Sequence, residues 1–354
     1  MRILITAPSL DVSQNVSGIS MVANTILSNA DKDHSYYHYL LGRPDHAPGW
    51  YWPVLLIKQL ICYPLFLYSN KIDLVHQNLP FNAKGILREY IINLISVKCG
   101  RPVLLHIHGG ECLMKGVSSK FLNCLVNNMF RRSSQVLVLS ALEQVVIQKT
   151  YPMIHVSFLS NAIDTDYYSR KEPRKEGLPG ILFLGRIENN KGLNEIIQAI
   201  RELYKHHRFT FSLCGEGPER ERMVKECTEI MGDDFHYEGV VSGEKKLDIL
   251  HQSSIFVLPS YFEGLPMSLL ESMASGLVPV ITEVGSMKEV VRSGENGLLV
   301  NTHDAKDLAA KLEFLISNPE ILNTMAENAF YTVQKDFDIK DYMLRLNEIY
   351  QTSF

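Results

Sequence analysis

Ten short apolar runs, separated by segments of helix length, set the limits on what this chain can become. In the first half they are RILITA (2–7), IDLVHQ (72–77), PVLLHIH (102–108), QVLVLS (135–140) and HVSFLS (155–160). In the second half they are GILFLG (180–185), FTFSLCG (209–215), DFHYEG (234–239), SIFVLPS (254–260) and LVPVIT (277–282). Helical patterns at 84–98, 118–131, 193–205, 217–230 and 265–275 lie between them. This alternation predicts an α/β chain of Rossmann-like, doubly wound parallel sheets with helices on both faces. The stretch RKEPRKEGLPG (170–180) is charged, holds Gly and Pro, and has the composition of a linker. It divides the chain into domains at 1–169 and 170–335, followed by the amphipathic stretch 336–354. At 354 residues the chain is long enough for a sizeable core in each domain. Such sheets bind ligands beyond the carboxyl ends of their strands, and two domains facing across a cleft are expected to form the site there.

Composition narrows the class. Hydrophobic residues make up 46% and charged residues 21%, as in globular proteins, and the formal net charge of −4 gives no general attraction to nucleic acid. Six scattered cysteines without CxxC pairs fit free thiols in a reducing cytoplasm. The N-terminus MRILITAPSL reads as a first strand rather than a signal peptide, so a cytoplasmic location is expected. The segment GWYWPVLLIKQLICYPLFLYS (49–69) carries one charge, Lys58, and two prolines, Pro53 and Pro64. It reads either as a buried helix of an α/β layer or as an interfacial segment touching a membrane or a greasy acceptor.

Four stretches carry chemistry. In SYFEGLPMSLLESMASG (260–276), Glu263 leaves a strand while Pro266 suits the first position of a helix. Leu270, Met273, Ala274 and Leu277 mark that helix's buried face, and Gly276 suits its stop. Glu271 then lies about 7.5 Å further along the axis than Pro266. A loop followed by a helix lets both carboxylates border one cavity, while the free amides around Gly264–Ser268 suit an anion. Two solvated surface glutamates are the plainer alternative. In FLGRIENNKGLNE (183–195), Arg186 and Lys191 follow a strand on a short loop; they either converge on a diphosphate or are ordinary surface charges. In LLHIHGGE (104–111), alternation puts His106 and His108 on one side of a strand, with His108 the candidate cleft residue and His106 the candidate core histidine. No third ligand supports zinc there. In SQNVSGIS (13–20), Gly18 offers close backbone approach to a phosphate, but no GxGxxG fingerprint favours a dinucleotide.

Together these pieces resemble the retaining nucleotide-sugar glycosyltransferases of family 4, with the two-domain GT-B fold. The resemblance runs in order through SGIS, HIHGG, SNAIDTDYY (160–168), GRIENNKG (185–192), CGEGPER (214–220), YEGVVSGEK (237–245), SYFEGLPMSLLESMASG and GSMKEVVRSGENGLLV (285–300). It implies that Arg186 and Lys191 bind the donor diphosphate, helped by the backbone at Gly18 and at Leu265, Pro266, Met267 and Ser268. Glu271 would accept hydrogen bonds from the ribose hydroxyls. Glu263 would face the transferred sugar near its reacting carbon, and His108 would contact that sugar from the first domain. Gly215–Glu216 and Val240–Val241 would wall the base. The resemblance further implies that no metal or other cofactor is needed, and that the last helix crosses back onto the first domain. The chain departs from the pattern at Ser17–Gly18, where two glycines are usual, at Ala162, and at Ser286. None of these removes a charged group.

The expected activity is metal-independent transfer of a glycosyl unit from a UDP- or GDP-sugar to an acceptor hydroxyl with retention, in surface polysaccharide or glycolipid assembly. A nucleotide-sugar epimerase or hydrolase, and a sugar-binding protein without catalysis, are the alternatives. The expected partners are the nucleotide-sugar donor and a glycan or lipid-linked acceptor, with peripheral membrane contact through 49–69.

Overall fold

Near-continuous runs of branched and apolar side chains favour strands buried on both faces, and the strands assemble accordingly. The computed structural model describes residues 1–11, 14–15, 17–30, 33–42, 49–110, 112–113, 116–170 and 177–352. Two compact units result. The first is Met1–Ala162 with Ile339–Phe354, and the second is Ile163–Asp338.

In the first unit, β1 (Arg2–Ala7), β2 (Ser35–Leu40), β3 (Leu74–Leu79), β4 (Val103–Ile107), β5 (Gln135–Val138) and β6 (Val156–Phe158) form a parallel sheet in the order β2-β1-β3-β4-β5-β6. Val75 and Leu79 of β3 and Val103, Leu105 and Ile107 of β4 point to one face. There they meet α2 (Trp52–Ser69), α3 (Ala83–Lys98), α4 (Lys120–Arg132) and α5 (Ala141–Thr150) through Tyr63, Leu67, Ile86, Ile92, Val126, Met129 and Ile147. Fully burying a side chain of this size contributes about 2 kcal/mol. The first strand leads to α1 (Gly18–Ser28), whose start is capped by the Ser17 hydroxyl accepting from the Ser20 amide.

In the second unit, β7 (Gly180–Leu184), β8 (Thr210–Cys214), β9 (Phe235–Gly239), β10 (Ile255–Leu258), β11 (Val278–Thr282) and β12 (Leu298–Val300) are parallel in the order β12-β11-β10-β7-β8-β9. Its helices are α6 (Thr165–Tyr168), α7 (Leu193–Leu203), α8 (Arg220–Met231), α9 (Gly243–Gln252), α10 (Met267–Ala274), α11 (Met287–Val290), α12 (Ala305–Ser317) and α13 (Pro319–Asp336). The final helix α14 (Ile339–Thr352) returns to the first unit, where the Tyr350 hydroxyl hydrogen-bonds His76 Nδ1 at 2.7 Å.

Several expectations change. The units divide after Ala162 rather than after residue 169, and again after Asp338 rather than at 335. The short helix α6 accounts for the first shift, because its Tyr168 is tied to Glu271 of the second unit. Residues 171–176 of the expected linker lie outside the described residues, as do Ser13 and Val16 of the SQNVSGIS loop and Glu111 of LLHIHGGE. Strands β2 and β12 were not foreseen. The segment 49–69 does form a helix, with Pro53 in its first turn and Pro64 inside it. It is not the buried layer helix, since among the residues of α2 only Gln59, Tyr63 and Leu67 are buried.

Candidate active site

In the second sheet the chain runs outward in both directions from the pair β7 and β10, so the strand order reverses between them. At such a reversal the connections leave on opposite faces and open a crevice beyond the carboxyl ends. The loops that follow these two strands carry Arg186 and Lys191 on one side and Glu263 on the other.

The backbone brings these loops together. The Tyr261 amide donates to the Asn190 carbonyl at 2.8 Å. Gly192 has φ of +71°, and a Cβ there would lie 2.2 Å from the Pro259 carbonyl oxygen. Gly285, at φ of +55°, approaches the Glu263 carbonyl so closely that a Cβ would come within 2.0 Å of it. Only glycine satisfies both the left-handed backbone and the missing space. Across this closed frame Lys191 Nζ reaches Glu263 Oε1 at 2.5 Å, and the Ser260 hydroxyl donates to the same oxygen at 2.8 Å. Both charged side chains are mostly shielded, at 17% and 12% exposure, yet open enough to be reached from solvent. Arg186, on the same loop as Lys191, is half-exposed and pairs with Glu188 at 2.9 Å.

Glu263 is followed directly by α10. Pro266 stands just before the helix rather than at its first position, and no side chain caps the first turn. Leu265 and Met267 bury their side chains, so their contribution there is limited to backbone, whereas Ser268 is partly exposed. The helix supplies partial positive charge at this end. Its Leu270, Met273 and Ala274 are fully buried, as their spacing predicts.

Glu271 has a different setting from Glu263. It is 3% exposed, and its Oε1 accepts from Lys246 Nζ and from the Tyr168 hydroxyl, each at 2.8 Å. The ammonium also lies 5.3 Å from the centre of the Tyr168 ring. Burial, with the Glu271 charge next in size, raises the Tyr168 phenol far above its ordinary value of 10. This buried triad fixes the carboxylate, and sequence reasoning missed two of its members. Lys246 and Tyr168 are 25 and 103 residues from Glu271, and no local pattern joins them. Tyr261, equally unforeseen, donates to both oxygens of the buried Glu195, and its ring lies 3.9 Å from that of His303.

The loops after β8 and β9 also meet, because the Gly215 amide donates to the Gly239 carbonyl at 2.7 Å. This places Gly215–Glu216 beside Val240–Val241. Val240 is exposed while Val241 turns into the core. The Tyr237 hydroxyl donates to Glu216 at 2.7 Å, and that bond, followed by the Arg220 charge, holds the Glu216 carboxyl below its usual range.

His108 and Gly18 belong to the first unit. Gly18 opens α1 with nothing within 4 Å of where its Cβ would stand, so its backbone is accessible. The first sheet reverses between β1 and β3, and Gly18 follows β1. His108 sits one residue past β4, partly exposed, with Nε2 2.6 Å from Asn78 Oδ1. Its ring lies 4.2 Å from that of the buried His106, which in turn contacts His76. Burial, then its neighbours His106 and His76, hold His108 well below 6.5, so it acts as a neutral imidazole. Among the described residues no cluster of three or more His, Cys, Asp or Glu could hold a metal ion.

Residues 164–331 match the family "Glycosyl transferases group 1". The 2-deoxystreptamine N-acetyl-D-glucosaminyltransferase of Niallia circulans is 28% identical over 169 residues, covering 47% of this chain and 43% of that protein. The chain thus matches less than half the length of that curated relative. Among solved structures, sucrose-phosphate synthase from Thermosynechococcus elongatus aligns with a TM-score of 0.79 at 17% identity, covering 99% of this chain and 98% of that one. Anabaena HepE, solved in complex with UDP-glucose, aligns at 0.77 with 16% identity over 99% of this chain and 100% of that one. At these identities the structures establish the fold, two Rossmann-like α/β units of the GT-B class.

Proposed function

We propose that this chain, whose residues 164–331 match the glycosyl transferases group 1 family, moves a sugar from a nucleoside-diphosphate sugar, a UDP- or GDP-sugar, to an acceptor hydroxyl with retention. The observation that carries the reading is the contact of Lys191 with Glu263 where the second sheet reverses, beside the uncapped start of α10. Breaking the bond between the sugar and the diphosphate leaves negative charge on phosphate oxygen and positive charge on the sugar ring. Lys191, Arg186 and the amides from Leu265 to Ser268 stabilise the first, with Gly18 adding a backbone contact; Glu263 stabilises the second. Donor binding draws Lys191 toward the diphosphate and leaves Glu263, still held by Ser260, to face the ring. Glu271, oriented by Lys246 and Tyr168, takes the ribose hydroxyls, and Gly215, Glu216, Val240 and Val241 border the base. His108 contacts the transferred sugar as a neutral donor or acceptor. Fixed cations supply what a divalent ion would otherwise provide, so catalysis is metal-independent. The acceptor is a glycan or lipid-linked sugar, in surface polysaccharide or glycolipid assembly in the cytoplasm. HepE, with its UDP-glucose, supports the donor class.

The test is thermal shift with UDP-, GDP- and ADP-glucose, followed by turnover of the donor that binds. Lys191→Ala should abolish the shift. Glu263→Gln should keep it while turnover falls at least about 100-fold, and chelator should change neither. A chain that no nucleotide sugar stabilises overturns the reading.

A further inference from the structure

Helix α2 is apolar on both of its faces, and only one is used. Gln59, Tyr63 and Leu67 face inward and are tied to the first unit. The Gln59 side chain exchanges hydrogen bonds with both backbone groups of Gly42, its carbonyl accepts from the Tyr39 hydroxyl, and Tyr63 bonds Ser96 at 2.7 Å. The outward face repeats at the same period with Val54, Ile57, Ile61, Leu65 and Tyr68, and Ile61 and Leu65 are 66% and 69% exposed. Just before the helix, Trp50 is 77% exposed. The outward stripe runs about 21 Å at the helical rise. A soluble surface helix would carry charge there.

The helices on this face of the first sheet carry an excess of positive charge. Between residues 49 and 132 there are ten Lys and Arg against three Asp and Glu, in a chain whose total is −4. Helices α2, α3 and α4 lie side by side on one face of the first sheet. Lys58, Lys84, Lys98, Arg131 and Arg132 are exposed on them. Glu89 neutralises only Arg88, and Asp73 is paired with Arg2 from outside the segment, so the excess on these helices remains.

We propose that this face is a docking surface for an anionic lipid bilayer, with α2 lying flat in the headgroup region. A second copy of the chain would bring one cationic face against another, whereas anionic lipid supplies both apolar depth and the opposite charge. Tryptophan and tyrosine at the ends of the stripe suit the interface between headgroups and chains. The helix is long and apolar enough to cross a membrane, but spanning would tear Gln59 and Tyr63 from their buried partners. It therefore lies on the surface rather than through it.

Co-sedimentation of the purified chain with vesicles of phosphatidylcholine alone, or of phosphatidylcholine mixed with phosphatidylglycerol, tests this without any sugar donor. Binding should require the anionic lipid and should fall about tenfold between low and high salt. The triple variant Ile57→Ser, Ile61→Ser, Leu65→Ser should reduce binding at least about tenfold while keeping the wild-type circular dichroism and cooperative urea unfolding. Lys58→Glu, at an exposed position, should weaken binding with no effect on folding. Failure of the wild-type chain to bind either vesicle overturns the proposal. So does a wild-type dimer in solution that the triple variant converts to monomer, which would make the face a self-association surface.

Discussion

The two units share a six-stranded parallel sheet with a reversal in strand order, yet they place charge in opposite ways. The second unit brings its charges inward. Lys191 meets Glu263, and Lys246 meets Glu271, in loops and helices at the carboxyl ends of its strands. The first unit buries the pair of Glu89 with Arg88, but it lines the middle of its sheet with neutral groups. A row of imidazoles, His76, His106 and His108, lies against one another and against Asn78 and Tyr350, while cations collect on the outside. The lesson is that one scaffold supports two electrostatic designs, an inward one suited to a small polyanion and an outward one suited to a broad surface.

The largest expected effect that would break this comparison is in acid. His76 and His106 are fully buried, and burial lowers both, His106 to about 3. The unfolded chain takes up protons at these positions below about 6.5 and the folded chain does not. Stability of the first unit is therefore full above pH 6.5 and falls below it, by up to about 1.4 kcal/mol per pH unit for each histidine. Glu89, raised by burial, returns part of that loss as pH drops. No histidine of the second unit is buried. Both tryptophans, Trp50 and Trp52, belong to the first unit. The urea midpoint read by their emission should fall faster between pH 7 and 5 than the midpoint read by far-ultraviolet circular dichroism. Equal shifts would show that the histidine row does not set the difference.

Next in size, Lys246→Met should destabilise the second unit by about 3 kcal/mol, because the Glu271 carboxylate stays buried with only Tyr168 as its partner. Arg186→Ala, which removes an exposed pair, should stay within about 0.5 kcal/mol in the same urea titration. Tyr63→Phe, between these two in size, should cost the first unit about 1 kcal/mol. Ser96 retains its bond to the Ile92 carbonyl, so no buried group is orphaned. If Tyr63→Phe matched Lys246→Met, the contrast between a buried hydroxyl pair and a buried ion pair would be lost.

What was legible in the sequence follows from these physics. Most of the ten strands legible in the sequence carry apolar runs, and DFHYEG is the mixed exception among them. The two missed, SYYHYL and LLV, are edge strands: the first mixes polar and aromatic residues, and the second has only three residues. Lys191 and Glu263 could be found because their loops carry a recognisable pattern. Lys246, Tyr168 and Ser260 could not, since their partners are set by tertiary packing. The boundary after Ala162 left no shift in composition to read. The outward face of α2 looks the same in sequence as its inward one, and only exposure tells them apart.

The path of α14 imposes a schedule on biogenesis. Tyr350 closes over His76 from 274 positions downstream, with the entire second unit made in between. At ribosomal speeds of about 5–20 residues per second, that interval is on the order of tens of seconds. Throughout it, the nascent histidine face stays wet and uncovered while an inserted domain folds beside it. Completion of the earlier half thus waits on translation of the later one.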